Sequence, residues 1–323
     1  MSKASFGISA IGHGLMDATG VASIDYWERL KPGSGPSHVS SDEASALLDE
    51  LRIEGALAGP GLVFNPGGGA LNIAVAARTL GMQAVAAACL GTDSLGAEIR
   101  ARLEALGVFL VGPSSKKATG LFISISPPPE CGSKTEPMVV VSPSAAREIH
   151  GYDAQETMFR PGWYFHVDGL LMDRADWLSS LAREAKAKGM GVSLDASTVH
   201  AARSRGRELV RFAAEFCDYF FVNEREYDSL VKVLSAGEGL GSCSLVRKLG
   251  PRGAMLTKDG ETFLSETEPM DVPFEVGAGD AFAAGFLKAS MEDRSPKEML
   301  AMGNVSAGAR LKALNFPAFG TPL

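Results

Sequence analysis

Between residues 163 and 222 the chain alternates strand-like and helix-like patterns with very short connections, and this alternation restricts the fold more than any other feature. The apolar runs Trp163 to Val167, Met190 to Leu194 and Tyr219 to Val222 read as buried strands. Between them, Asp176 to Lys188 and Arg205 to Phe216 read as amphipathic helices. Strands linked in this way pair in parallel with right-handed crossovers, which predicts a three-layer α/β/α architecture around a mainly parallel central sheet. Ligands of such sheets gather beyond the carboxyl ends of the strands. Asp168 and Asp195 each close a strand, so both face that edge, either as structural caps or as chemistry.

The first half carries glycine-rich turns at the same kind of position. Phe6 to Ile11 reads as a buried strand that empties into Gly12-His13-Gly14, with Asp17 close behind. A carboxylate there can accept hydrogen bonds from two adjacent hydroxyls. Gly67-Gly68-Gly69 opens a helix predicted over Ala70 to Leu80, and Asn72 lies in its first turn. The Gly67 and Gly68 amides with the Asn72 side chain can grip a polyol, or the segment is a plain tight turn. Gln83 to Leu90 reads as a strand, Ala97 to Leu106 as a helix capped by Asp93, and Ser41 to Arg52 as a helix capped at Ser41 to Asp42. A short strand is expected near Val21 to Ile24. From Val108 to Ser144 the helical period disappears, and Leu121 to Ser126 and Met138 to Ser142 read as strands that form a separate small sheet or extend the main one.

A third glycine-rich turn, Val276-Gly277-Ala278-Gly279-Asp280, runs straight into a helix of small and apolar residues. Glycines let the backbone approach a ligand closely, and the first amides of a helix have no internal partners, so such a turn attracts anions. Asp280 in the first helical turn is either a base for an attacking hydroxyl or a partner of the helix dipole.

The stretch Gly277 to Phe286 resembles the C-terminal signature of the ribokinase-like (PfkB) carbohydrate and nucleoside kinases. Pro66-Gly67-Gly68-Gly69-Ala70-Leu71-Asn72 resembles that family's N-terminal sugar-binding motif, and the two occur in the family's order. The resemblance implies one kinase domain over residues 1–323, with a small β lid formed by segments of about 18–40 and 108–144. Phe122 in the second segment then either covers the substrate or packs in the core. The resemblance further implies Asp280 as base, Gly277, Ala278 and Gly279 as anion hole, and Asp17, Gly67, Gly68 and Asn72 as substrate contacts. His13 departs from the pattern, standing where adenosine kinases have an Asn, and is either a substrate contact of altered specificity or a filler of the loop. Tyr26-Trp27 and the Ser-Asp-Glu helix after Asp17 resemble the adenosine-kinase-like branch.

Asn223-Glu224-Arg225-Glu226 matches the family's Asn-x-x-Glu motif, which implies a magnesium contact through water for Glu226 and a nucleotide role for Asn223. Gly250 and Gly253 match its nucleotide loop, and Asn304 falls where the family has a residue beside the adenine. Lys248 and Arg252 either reach phosphates or stay solvated. ATP and Mg2+ are the implied cofactors, and a sugar or nucleoside the implied acceptor, in a monomer or homodimer. The family signature normally opens Asp-Thr-Thr, and Phe274-Glu275-Val276 replaces it here. Monovalent-cation-dependent members use that Asp and a Thr to build an ion site, so weak or absent potassium activation is expected. The altered lead-in also motivates a second reading, a kinase-fold protein that binds nucleotide or sugar without turnover.

Composition agrees with a small-molecule partner. A formal net charge of -7 and the absence of a basic run argue against nucleic acid or an anionic membrane surface. No Walker-type G-x-x-x-x-G-K-[ST] stretch occurs, and no G-x-G-x-x-G follows the first strand. The four cysteines are dispersed without metal spacing, and no secretory leader or long apolar run is present, so a cytoplasmic protein is expected.

Overall fold

In the second half of the chain every apolar run named above becomes a strand and every amphipathic stretch a helix. The computed structural model describes residues 6–30, 36–53, 55–132, 135–153, 156–235, 239–270 and 272–315. Residues 31–35 of the first expected lid segment and 133–134 of the Pro127 to Pro137 loop lie outside them.

The first half contains β1 (Gly7–Ile11), β2 (Leu15–Ala22), α1 (Ile24–Leu30), β3 (Ser37–His38), α2 (Ser41–Leu51), β4 (Leu57–Gly67), α3 (Gly69–Thr79), β5 (Gln83–Ala87), β6 (Leu90–Gly91), α4 (Ser94–Ala105), β7 (Phe109–Val111), β8 (Ser114–Ser115), β9 (Gly120–Ser126) and β10 (Met138–Ser142). The second half continues with β11 (Tyr164–Asp168), α5 (Ala175–Ala187), β12 (Gly191–Asp195), α6 (Val199–Ser204), α7 (Gly206–Phe216), β13 (Tyr219–Asn223), α8 (Glu224–Ser235), β14 (Ser244–Lys248), β15 (Ala254–Lys258), β16 (Glu261–Ser265), α9 (Ala278–Met291) and α10 (Pro296–Asn315).

The main sheet has the order β16-β15-β14-β13-β12-β11-β1-β5-β7. It is parallel from β7 to β14, and β15 and β16 add an antiparallel edge. Both faces are apolar because both are covered. Along β13, Tyr219 and Phe221 enter one core with α3, α9 and α10, while Phe220 and Val222 enter the other with α5 and α7. The alternation repeats in β11, with Tyr164 on the first side and Phe165 and Val167 on the second.

A second sheet has the order β3-β10-β9-β2-β4. Its strands include both runs expected from the 108–144 segment. The 18–40 segment is different from its expectation: the strand lies earlier, over β2, and Ile24 begins helix α1 rather than ending a strand. The longest strand, β4, had no counterpart in the sequence pattern, because Gly59, Pro60 and Gly61 interrupt its alternation. The cap of α2 is Ser40, one residue before the expected position, with Glu43 completing a reciprocal capping box. Asp93 does cap its helix, which starts at Ser94 rather than Ala97.

Helices α9 and α10 approach closely through glycine. A Cβ on Gly285 would lie 2.2 Å from Ser306 Oγ, and one on Gly303 would lie 2.6 Å from the Phe282 ring. That packing fixes α9, and therefore the turn before it, against the sheet edge. Among the described residues no helix is long and apolar enough to cross a membrane.

Candidate active site

The carboxyl ends of four neighbouring parallel strands bring a row of polar residues to one edge: Asp168 on β11, Asp195 on β12, Asn223 on β13 and Lys248 on β14. Register pairs Asp168 with Asp195 and Asn223 with Lys248. Loops after β1 and β4 and the turn before α9 close over this row.

The turn has the conformation its glycines permit. Gly277 adopts φ 77°, the left-handed region, immediately before α9. The Ala278 amide turns back to Glu275 O at 3.1 Å, and the Ala281 amide bonds Gly277 O at 3.0 Å. Gly279 and Asp280 then supply the first amides of α9 that have no acceptor among the described residues. The Ala278 amide is thus the one member of the expected anion hole already engaged inside the turn. Asp280 hydrogen-bonds Asn72, and burial, with Asp195 nearby, raises its proton affinity to about 7. Lys248 pulls the other way. A carboxyl tuned to that value exchanges protons near neutrality.

Asp17 lies on β2 directly beside β4, only 3% exposed, and its Oδ2 has no hydrogen-bond partner. Burial raises its proton affinity to about 8, against the opposing field of Arg310. The absence of a side chain at Gly67 makes room for it, since a Cβ there would fall 1.9 Å from the carboxylate. Gly68 has φ 83° and passes so close to His13 that a Cβ would lie 2.3 Å from the His13 carbonyl oxygen. A buried carboxylate oxygen without a donor is costly unless a ligand supplies one. Phe122, half-buried, is the register partner of Asp17 on β9.

His13 is anchored rather than free. Its amide donates to Asp168 Oδ2 at 3.2 Å, its ring Nδ1 lies 4.0 Å from the same oxygen, and burial lowers its proton affinity. Asp168 also accepts from Ser197 Oγ at 2.5 Å and from the Leu170 amide at 3.0 Å. It is a structural tie between β1, β11 and β12, and both Gly12 and Gly69 pack against it.

Lys248 is the clearest departure from a solvated reading. Its side chain is 15% exposed, and Nζ lies 2.5 Å from Asp195 Oδ2. The same nitrogen is 3.1 Å from where a Gly279 Cβ would be, so the ammonium faces the open end of α9. Burial opposes its charge, but Asp195 and Glu226 outweigh burial and its proton affinity is raised. Arg252, by contrast, is exposed and paired with Glu224.

Asn223 and Glu226 close on each other. The Asn223 amide and Nδ2 donate to the Glu226 carboxylate at 2.7 and 2.8 Å, and the Glu226 amide donates back to Asn223 Oδ1 at 2.9 Å. Burial raises Glu226 to about 7, with Lys248 countering. Gly250 and Gly253 bracket a single 3-10 turn, and a Gly253 Cβ would lie 2.1 Å from Ser265 O. Asn304 Nδ2 donates to that same Ser265 O at 3.0 Å, which joins α10 to the nucleotide-loop candidate. Among the described residues no three acidic, His or Cys side chains cluster to hold a metal ion.

One residue carried no sequence signal. Arg310, in α10 beyond Asn304 and within no motif, is half-buried and donates from Nε to Val276 O at 3.3 Å.

A family model described as "pfkB family carbohydrate kinase" matches residues 42–315. The chain is 26% identical over 240 residues to an ATP-dependent ribose-1-phosphate kinase of Halopiger xanaduensis, covering 74% of this chain and 77% of that protein. It is 24% identical over 258 residues to a ribokinase of Haemophilus influenzae, covering 75% and 79% respectively. Its fold matches the adenosine kinase of Sinorhizobium meliloti with a TM-score of 0.78 at 21% identity, over 95% of this chain and 94% of that one. A probable sugar kinase of Rhizobium etli aligns with a TM-score of 0.80 at 21% identity, over 95% and 93%.

Proposed function

We propose, from the premise that this chain belongs to the pfkB family of carbohydrate kinases, that it transfers the γ-phosphoryl group of ATP to a primary hydroxyl of a ribose-like sugar or nucleoside, with Asp280 as base. The observation that carries this reading is Asp280 itself. Its carboxyl, tuned to about 7, stands in the first turn of α9 beside amides with no acceptor among the described residues, within the electrostatic reach of Asp17, whose Oδ2 has no partner among them.

The geometry supports the following roles. Asp17, with the Gly67 and Gly68 backbone, holds vicinal hydroxyls of the acceptor and aims a third hydroxyl at Asp280. Asp280 takes that proton as the phosphoryl group moves. Gly277 and Gly279 shape the turn, and the first amides of α9, with Lys248 beside them, stabilise charge on the equatorial oxygens. Asn72 orients Asp280 through its hydrogen bond.

The donor set suits a magnesium ion that arrives with the nucleotide, because the carboxylates at this edge are already engaged by Asn223 and Lys248. Magnesium keeps several waters, and Glu226 would meet it through one. When bound it neutralises charge between the phosphates. Gly250, Gly253 and Asn304 border the nucleotide. The five-stranded sheet serves as the lid that keeps water from competing with the acceptor.

The test is ADP release from ATP and magnesium against ribose, ribose 1-phosphate, fructose and a set of nucleosides. One acceptor is expected to stand out, and Asp280→Asn is expected to lower kcat by on the order of 10² to 10⁴ while ATP still binds. Full turnover by Asp280→Asn would overturn the assignment of the base. A wild-type protein that binds ATP yet turns over no acceptor would favour the non-catalytic reading.

A further inference from the structure

The lead-in Phe274-Glu275-Val276 does not fit an exchangeable monovalent cation. Phe274 and Val276 offer no side-chain oxygen, Glu275 is exposed, and each backbone carbonyl of the lead-in already accepts a hydrogen bond from within the chain. Phe274 O accepts from Asn315 Nδ2 at 2.8 Å while its amide donates to Asn315 Oδ1 at 3.0 Å. Glu275 O accepts from the Ala278 amide, and Val276 O accepts from Arg310 Nε. All three carbonyls of the lead-in are therefore satisfied from within the chain, two of them by side chains of α10.

A positive charge is nevertheless present at this place. Arg310 Nε lies 3.2 Å from where a Gly277 Cβ would be, so the guanidinium lies against the left-handed residue that makes the bend. Both Asp17 and Asp280 act on it, and Arg310 opposes the protonation of Asp17. These two carboxylates face each other's charge before any phosphate arrives, and two buried like charges favour protonation of one or both.

Resting on the kinase reading above, we propose that Arg310 is the built-in cation of the phosphate turn. It is a positioning residue: its guanidinium holds the Val276–Gly277 bend and balances Asp17 and Asp280, in place of an exchangeable monovalent cation. A planar guanidinium suits this double task, since it stays charged when partly buried and donates in several directions at once.

The experiment compares wild type with Arg310→Ala and Arg310→Lys, each in potassium, sodium or choline chloride at equal ionic strength, with and without millimolar guanidinium. Two readouts are taken, steady-state kinetics across pH and the thermal unfolding midpoint. Wild type is expected to vary less than about twofold in kcat among the three salts. Arg310→Ala is expected to lose about tenfold or more in kcat, to move its acid limb to higher pH, and to regain activity with guanidinium or potassium. Arg310→Lys is expected to fall between the two. The charges facing Asp280 are Asp195, Lys248, Asp168, Asp17 and Arg310, and only the last changes in these variants.

A wild type that collapses in choline, or an Arg310→Ala protein with unchanged kcat and pH profile, overturns the proposal. If wild type transfers phosphate to no acceptor in any salt, the kinase reading fails and the unfolding midpoint decides. Potassium-specific stabilisation of wild type then overturns the role of Arg310, and rescue of Arg310→Ala by potassium or guanidinium supports it. Should Arg310→Ala fail to fold, Arg310→Lys carries the same comparisons, a wild-type-like salt response supporting the proposal and potassium dependence overturning it.

Discussion

Asp17 is a buried carboxylate whose second oxygen waits for a donor, and its energetics are open to a direct check. Its folded proton affinity, about 8, lies above the ordinary carboxylate value, so the folded protein holds a proton that the unfolded chain has already released. Stability from this group is present below the unfolded value and is lost as pH rises through about 8. The unliganded protein is therefore expected to lower its unfolding midpoint between pH 5 and 8 more steeply than Asp17→Asn, as measured by calorimetry. The same variant is expected to raise the KM for the acceptor by about 10- to 100-fold, the loss of the hydrogen bonds that the buried carboxyl makes to the acceptor hydroxyls. Both the position of Asp17 and that of Asp280 were legible in the sequence, because glycine-rich turns beside a carboxylate announce close approach. Arg310 and the burial of Lys248 were not, since a basic residue in a helix or at a strand end looks the same whether it faces water or a distant carboxylate.

At the scale of elements, α9 anchors the phosphate turn through aromatic packing. Phe286, fully buried, meets Tyr219 and Phe221 edge-on with centroids at 4.9 and 5.4 Å. Phe286→Ala is expected to destabilise the protein by about 3–5 kcal/mol in urea unfolding, the range for large-to-small aromatic substitutions in a core. Its effect on KM is expected to be small wherever the protein stays folded, because no atom of Phe286 enters the site. Helices and strands of the α/β half could be read directly, since each repeats one period and the connections between them are short. β4 could not, because its backbone pairs with β2 across a register shift while Gly59 and Gly61 take positive φ values that no alternation reveals. The pairing that makes it a strand comes from a partner some forty residues away.

Across the whole molecule, the two sheets share one apolar core, and polar contacts tie the smaller sheet and its loops to the larger unit. Ser126 Oγ on β9 donates to Pro273 O at 2.5 Å, just ahead of the lead-in, and Arg225 on α8 pairs with Glu136 at 2.7 Å. His38 on β3 faces His200 on α6, with ring centroids at 6.4 Å. If the small sheet is the lid, loosening it exposes the phosphoryl group to water. Ser126→Ala is then expected to raise ATP hydrolysis without acceptor relative to acceptor phosphorylation, measured as the ratio of the two rates. The candidate site draws on residues 13 and 17, 67 to 72, 168, 195, 223 to 226, 248, 277 to 280 and finally 310. The candidate site therefore joins the first and last parts of the described chain, and it is complete only once α10 has docked and its Arg310 and Asn315 have reached the lead-in.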